Sequence, residues 1–108
     1  MKLLIAGSRS ITDIDISPYI PEETDCIITG GAKGIDRLAE IYADKMKISK
    51  IIMRPQYKLL KRGAPLKRNE EMVEMCDMAL VFWDGISKGT KHTIDYAKKI
   101  GKPIDVIE

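Results

Sequence analysis

Residues that hold metal ions or form disulfides are scarce in this sequence, which has two cysteines and one histidine. Cys26 and Cys76 each lie in an apolar segment, have no Cys-x-x-Cys partner and are distant in sequence from His92. This spacing excludes the usual metal sites and a disulfide framework, so we predict no metal and no cofactor. We expect two free core thiols, and a disulfide between them is the less favoured alternative.

Long hydrophobic runs are also missing. No apolar stretch approaches the roughly 18 residues that a membrane-spanning helix requires, and residues 1–6 are too short an apolar run for a signal peptide. The composition is 44% hydrophobic and 31% charged, as in ordinary globular proteins. With 108 residues and no repeat, the sequence predicts a single domain over residues 1–108, a cytoplasmic location and no membrane partner.

Acidic residues are absent from residues 45–68, which contain nine cations. Such a segment is typical of a polyanion partner or of a solvated surface. Aromatic residues make up only 6% of the chain, and stacking on aromatic rings is the usual way to hold single strands. We therefore rank nucleic-acid binding, which would use Lys58, Lys61 and Arg62, below binding of a small anionic ligand.

The remaining pattern alternates short apolar runs with helical spacing. Residues 2–6, 26–29, 50–53, 78–82 and 103–107 predict strands covered on both faces. Helices are predicted between them, the last ending at Gly101, while residues 14–20 allow at most a short helix and residues 55–65 predict a long basic loop. The alternation predicts a three-layer α/β fold with a five-stranded parallel sheet in the order 3-2-1-4-5.

Three predicted strands run into loops that contain glycine, namely the first, second and fourth. Because the carboxyl ends of parallel strands share one edge of the sheet, these loops should meet in one crevice, where open α/β sheets bind ligands. The predicted ligand-binding residues are Gly7, Ser8, Arg9, Gly30, Gly31, Ala32, Lys33, Gly34, Asp36, Asn69, Trp83, Gly85, Ser87, Lys88, Gly89 and Thr90.

The glycines of residues 30–34 let a phosphate approach the backbone N–H groups at a helix start. The loop is neither a Walker motif nor the Gly-x-Gly-x-x-Gly fingerprint, and a tight turn without a ligand is the alternative interpretation. Asp36 suits a capping role in the first helical turn more than ligand contact. Residues 87–90 repeat the same device before the last helix, which makes a shared ligand more plausible.

Several side chains at the strand ends have two interpretations each. Arg9 and Arg68 can neutralise phosphate, and Arg68 and Asn69 are expected at the start of a helix. Trp83 could border a base, although packing is the more common role of a large aromatic at this place. Asp84 could bind a ribose hydroxyl or act as a general base, or it could form a turn before Gly85. Asp84 and Arg68 are the candidate catalytic residues.

An ordered set of motifs gives the sequence a family resemblance over nearly its full length: Gly7-Ser8-Arg9, Gly30-Gly31-Ala32-Lys33-Gly34-Ile35-Asp36, Arg68-Asn69-Glu70-Glu71-Met72, residues 82–90 and Gly101-Lys102-Pro103. With these motifs the chain resembles the YspA-like branch of the SLOG superfamily. The resemblance implies a Rossmann-like fold, a homodimer paired through helices, and sensing or processing of a nucleotide-derived ligand. Related families are the LOG phosphoribohydrolases and the DNA-processing protein DprA.

The LOG enzymes use an arginine and a glutamate, and only the arginine has a counterpart here. Arg68 matches it, whereas Thr93 occupies the position of the glutamate. We therefore expect binding of a nucleoside monophosphate or an ADP-ribose-like ligand, with a sensor role. The alternative is a nucleotide N-glycosidase, and the third possibility is a single-stranded nucleic-acid module like DprA.

Overall fold

The computed structural model of the chain describes residues 1–55 and 63–108. The strands are β1 (Lys2–Gly7), β2 (Cys26–Thr29), β3 (Ser49–Ile52), β4 (Met78–Phe82) and β5 (Ile104–Ile107). The α-helices of the described residues are α1 (Ile35–Lys45), α2 (Ala64–Met75) and α3 (Lys88–Lys99). All strand pairs are parallel and the order is β3-β2-β1-β4-β5. The predicted Rossmann-like α/β fold and strand order are thereby confirmed.

The sheet is covered on both faces, which explains why its strands are apolar without alternation. Leu3 and Ile5 of β1 pack in a cluster with α1, whereas Leu4 and Ala6 pack in a cluster with α2 and α3. All four side chains are buried. The layers are therefore one helix, the sheet, and two helices, as the sequence predicts.

The bounds of the five strands agree with the predicted ones to within one residue. The start of α2 differs from the prediction. Arg68, expected at the start of that helix, lies in its second turn, because α2 begins at Ala64 with Pro65 in its first turn. Proline fits there since the first helical N–H groups have no intrahelical partner. Of the basic loop predicted for residues 55–65, residues 56–62 lie outside the described residues.

The weakly predicted segment between β1 and β2 contains one short 3₁₀-helix, Ser17–Tyr19, within the residues 14–20 that allow at most a short helix. The ring of Tyr19 packs edge-on against Phe82 with centroids 5.5 Å apart. Cys26 and Cys76 are both free thiols, as predicted, and burial raises the pKa of Cys76. None of the helices in the described ranges is long and apolar enough to cross a membrane.

Two glycines set the distance between the first strand and the first helix. A Cβ atom on Gly7 would lie 2.6 Å from both Ile35 Cγ1 and the Phe82 carbonyl oxygen. A Cβ on Gly34 would lie 2.6 Å from the Arg9 carbonyl oxygen and 2.7 Å from that of Ser8. Gly34 also has φ 73° and ψ −127°, a conformation that is closed to other residues. The start of α1 therefore rests directly on the chain that follows β1.

We expect Gly34→Ala to destabilise the protein by about 2 kcal/mol or more, because the methyl group must displace backbone carbonyls at a positive φ. Urea unfolding followed by circular dichroism measures the change. The matched control is Gly89→Ala, where the added carbon meets only Asn69 Nδ2 at 3.9 Å and the helical position favours alanine. Equal stability of Gly34→Ala and the wild type would contradict this account of the contact.

Candidate functional site

A crevice opens at the carboxyl ends of β1, β2 and β4. It lies beside the point between β1 and β4 where the strand order of the sheet reverses. Its volume is about 360 Å³, which lies within the range of small-molecule sites in proteins. The loops after β1 and β4 form two of its walls, and α2 and the starts of α1 and α3 complete them. Its lining residues are Ala6, Gly7, Arg9, Ser10, Ala32, Asp36, Pro65, Arg68, Asn69, Met72, Asp84, Ser87, Gly89, Thr90 and Thr93.

More than half of the predicted site residues line this crevice, and the others lie around it. Ser8 and Gly30 are buried beneath it. Gly31, Lys33 and Gly34 line a neighbouring open space. The remaining three, which are not lining residues of the crevice, are Trp83, Gly85 and Lys88.

Trp83 is part of the packed interior. Its half-buried ring contacts the core cluster beneath α2 and α3. The indole Nε1 donates a hydrogen bond of 3.0 Å to the Ser87 carbonyl oxygen. Trp83 thus takes the packing role that the sequence left as the alternative to bordering a base.

Asp84 connects the loops that follow β1 and β4. Its Oδ1 accepts hydrogen bonds from the backbone N–H groups of Ser87 (2.8 Å) and Ile86 (2.9 Å). Its Oδ2 accepts one from the Ser10 hydroxyl at 2.8 Å, and its backbone N–H donates to Ser8 Oγ at 3.1 Å. Asp84 therefore forms the turn that the sequence offered as one of its roles, and its Oδ2 retains capacity for a further donor.

The two carboxyl groups of the crevice have opposite surroundings. The N–H groups of Ser87 and Ile86 and the Ser10 hydroxyl lower the pKa of Asp84 to about 2, so this exposed group is ionised at neutral pH. Asp36 is only 6% exposed, and burial raises its pKa despite the Ala32 N–H and the nearby Arg68 charge. A group with a pKa near 2 is a weak general base at neutral pH.

Arg68 holds three elements together at the back of the crevice. Its Nη1 donates to the carbonyl oxygens of Gly30 (2.8 Å) and Met53 (3.1 Å), and its Nε donates to Asn69 Oδ1 (2.8 Å). These bonds connect α2 to the ends of β2 and β3. Gly30 permits the contact because a Cβ there would collide with the guanidinium. Arg68 thus contributes positive charge and fixes the geometry of the crevice.

The start of α3 is the most polar wall. Ser87 caps this helix by accepting from the Thr90 N–H at 3.4 Å. The Gly89 carbonyl oxygen accepts from Asn69 Nδ2 (3.3 Å) and from the Thr93 hydroxyl (3.2 Å). The first turn of α3 contains no acidic residue, so its N–H groups and positive helix end are not neutralised by their own helix.

Sequence reasoning missed several lining residues. Ser10 and Thr93 carry hydroxyl groups in the crevice, and Pro65 and Met72 supply apolar surface. Ser10 follows the Gly7-Ser8-Arg9 motif directly, so extending that motif by one residue would have included it. Pro65 points away from a site in the sequence, because a proline after Gly63-Ala64 is typical of the end of a loop, whereas it lies in the first turn of α2. In residues 1–55 and 63–108, no group of three or more His, Cys, Asp or Glu side chains could hold a metal ion.

We expect Asp84 and Asp36 to change the stability of the fold in opposite directions as the pH falls. Folding lowers the pKa of Asp84, so its stabilising contribution is complete above the ordinary value of 3.8 and is lost as the pH falls toward 2. Folding raises the pKa of Asp36, so its contribution is present below 3.8 and is lost as the pH rises through the raised value. Carboxyl ¹³C titration by NMR measures both pKa values directly.

Urea unfolding of Asp36→Asn and Asp84→Asn from neutral to acid pH provides the independent measurement. The free energy of unfolding of Asp36→Asn should fall relative to that of the wild type as the pH falls toward 3.8. The free energy of unfolding of Asp84→Asn should rise relative to that of the wild type as the pH falls from 3.8 to about 2. Parallel pH profiles of the two variants would contradict the assignment.

Comparison of the chain with protein-family models, with curated proteins and with solved structures finds no significant match. The candidate site is therefore defined by the residues described above. It combines the start of α3, two arginines and an ionised carboxylate in one crevice at the ends of parallel strands.

Proposed function

We propose that the chain binds a nucleotide or a nucleotide-derived ligand in this crevice, with a sensor role. The observation that carries the proposal is the meeting of the loops after β1, β2 and β4 around one space of about 360 Å³. A nucleotide needs an anion-binding wall, a hydroxyl acceptor and room for a base, and open α/β sheets offer these at the ends of their strands.

The phosphate would bind at the start of α3. The N–H groups of Lys88 and Gly89 are the first of that helix and have no partner within it, and the Thr90 hydroxyl lies beside them. Arg9 is exposed at the rim and lines the same crevice. A helix start together with a guanidinium is a favourable environment for a phosphate dianion.

The ribose would be bound by Asp84. This carboxylate is ionised at neutral pH, and its Oδ2 faces one donor, the Ser10 hydroxyl. A sugar hydroxyl could donate to the remaining acceptor capacity of the same oxygen. The resemblance to the SLOG superfamily supports the same class of ligand and supplies the suggested sensor role.

A nucleotide N-glycosidase is the second candidate, and one observation favours it. Two carboxyl groups with pKa values displaced in opposite directions, Asp36 and Asp84, line the same crevice. Glycoside hydrolysis uses a pair of carboxyl groups held in different environments. Thr93 argues for binding alone, because it supplies a buried hydroxyl that donates to Gly89 where the LOG enzymes carry glutamate.

We expect AMP and ADP-ribose to raise the midpoint of thermal unfolding by about 4 °C or more at saturation, since a ligand of the folded state stabilises it. Arg9→Gln should weaken the binding about tenfold, because a charge-assisted contact is lost. Differential scanning fluorimetry and isothermal titration calorimetry measure these effects.

The matched control for this experiment is Lys99→Gln. It removes the same charge from the opposite end of α3, roughly 17 Å from its start at 1.5 Å per residue. It should leave the affinity for both ligands unchanged. Unaltered midpoints with a full panel of mononucleotides and dinucleotides would refute the proposed function.

If the chain is a glycosidase, incubation with AMP or ADP-ribose should release a free base that chromatography detects. Asp84→Asn should reduce this release at least about a hundredfold, because the amide preserves the turn but not the negative charge. Asp13→Asn removes an exposed carboxylate that does not line the crevice and should retain full activity. Intact nucleotides after prolonged incubation would leave binding as the function.

A further inference from the structure

A second open space, the cationic hollow, adjoins the crevice. It has a volume of about 530 Å³ and is lined by Gly31, Ala32 and Gly34 together with three cations, Arg9, Lys33 and Arg37. Arg9 and Ala32 line both the hollow and the crevice. The two spaces therefore border each other at Arg9 and Ala32.

None of the three cations of the hollow forms an ion pair with a described residue. All three cations are exposed, and the ion pairs among residues 1–55 and 63–108 involve other groups. No acidic side chain lines the hollow. The crevice differs, because it contains both arginines and carboxylates.

The location of these cations is unfavourable for the isolated fold. Lys33 precedes the N-cap Gly34, and Arg37 is the third residue of α1, so both lie at the positive end of that helix. Cations are unfavourable at the positive end of a helix. Local rules are most often violated where a ligand compensates for them.

A further cation borders the same loop on its other side. Arg54 Nη1 donates to the Gly31 carbonyl oxygen at 3.2 Å, and a small space there is lined by Arg9, Arg54 and Arg68. Residues 30–34 are thus bordered by positive charge on both sides. A single phosphate at the start of α3 would bind away from Lys33 and Arg37, which line the hollow and not the crevice.

We propose that the ligand is a nucleotide with two phosphate groups, such as ADP-ribose or a dinucleotide, and that its second phosphate extends into the cationic hollow. The inference rests on the proposed function, and it selects the two-phosphate class over nucleoside monophosphates. Such a ligand is favoured over a nucleic-acid strand because none of the side chains from residues 1–55 and 63–108 that line the two spaces is aromatic, and strands are usually held by stacking on aromatic rings.

The test compares AMP, ADP-ribose and the dinucleotide pApA by isothermal titration calorimetry with the full chain. The wild type should bind ADP-ribose or pApA at least about tenfold more tightly than AMP. Lys33→Gln with Arg37→Gln should abolish that advantage and leave AMP binding unchanged, because neither residue lines the crevice. The matched control, Lys98→Gln with Lys99→Gln, removes two charges from the last turn of α3 and should preserve the advantage.

Each other outcome overturns a defined part of the argument. If AMP binds as tightly as ADP-ribose and pApA, or if the double variant weakens all ligands equally, the hollow is not a separate subsite. If an oligonucleotide of about twelve residues binds more tightly than pApA with a steep salt dependence, the hollow belongs to a nucleic-acid surface instead. If no nucleotide binds at all, the proposed function fails together with this inference.

Discussion

The geometry of the site depends on the contact between the loop after β1 and the loop after β4. The Ser8 N–H donates to the Phe82 carbonyl oxygen at 3.0 Å, and the Asp84 N–H donates to Ser8 Oγ at 3.1 Å. Ser10 then closes the connection at Asp84 Oδ2. These bonds join the two halves of the sheet where its connectivity reverses. Without them, Arg9 and the start of α3 would not face a common space.

The crevice and the cationic hollow, which meet at residues 30–34, differ in the charges that line them. The crevice contains Asp36 and Asp84 as well as arginines, so it suits a ligand that carries both phosphate and hydroxyl groups. The cationic hollow suits phosphate alone. A fold of this kind gathers such charges because strand ends, helix starts and their loops all lie at one edge of the sheet.

The sequence predicts the framework well because the framework depends on local pattern. Short apolar runs without alternation favour strands with two covered faces, and their alternation with helices favours a parallel sheet with right-handed crossovers. Pro65 shows the limit, since the same residue can end a loop or begin a helix. Most residues of the crevice, such as Gly7, Asp84 and Thr90, follow from one rule: the carboxyl ends of parallel strands lie at the same edge of the sheet.

What the sequence could not reveal is the direction and pairing of individual side chains. Trp83 is directed into the core, and Arg68 bonds to carbonyl groups of two strand ends. These outcomes depend on contacts between residues that are far apart in sequence. The position of Arg37 beside this loop could not be predicted for the same reason, because it depends on the three-dimensional course of α1.

The close seating of Gly34 against the carbonyl groups of Ser8 and Arg9 has an entropic consequence. The two loops that it joins cannot shift independently, so their backbone donors are already oriented before any ligand arrives. Pre-organised donors lose little conformational freedom on association, and a larger share of each contact is therefore retained as affinity. Such rigidity would lower the entropic cost of binding for a ligand of the proposed kind.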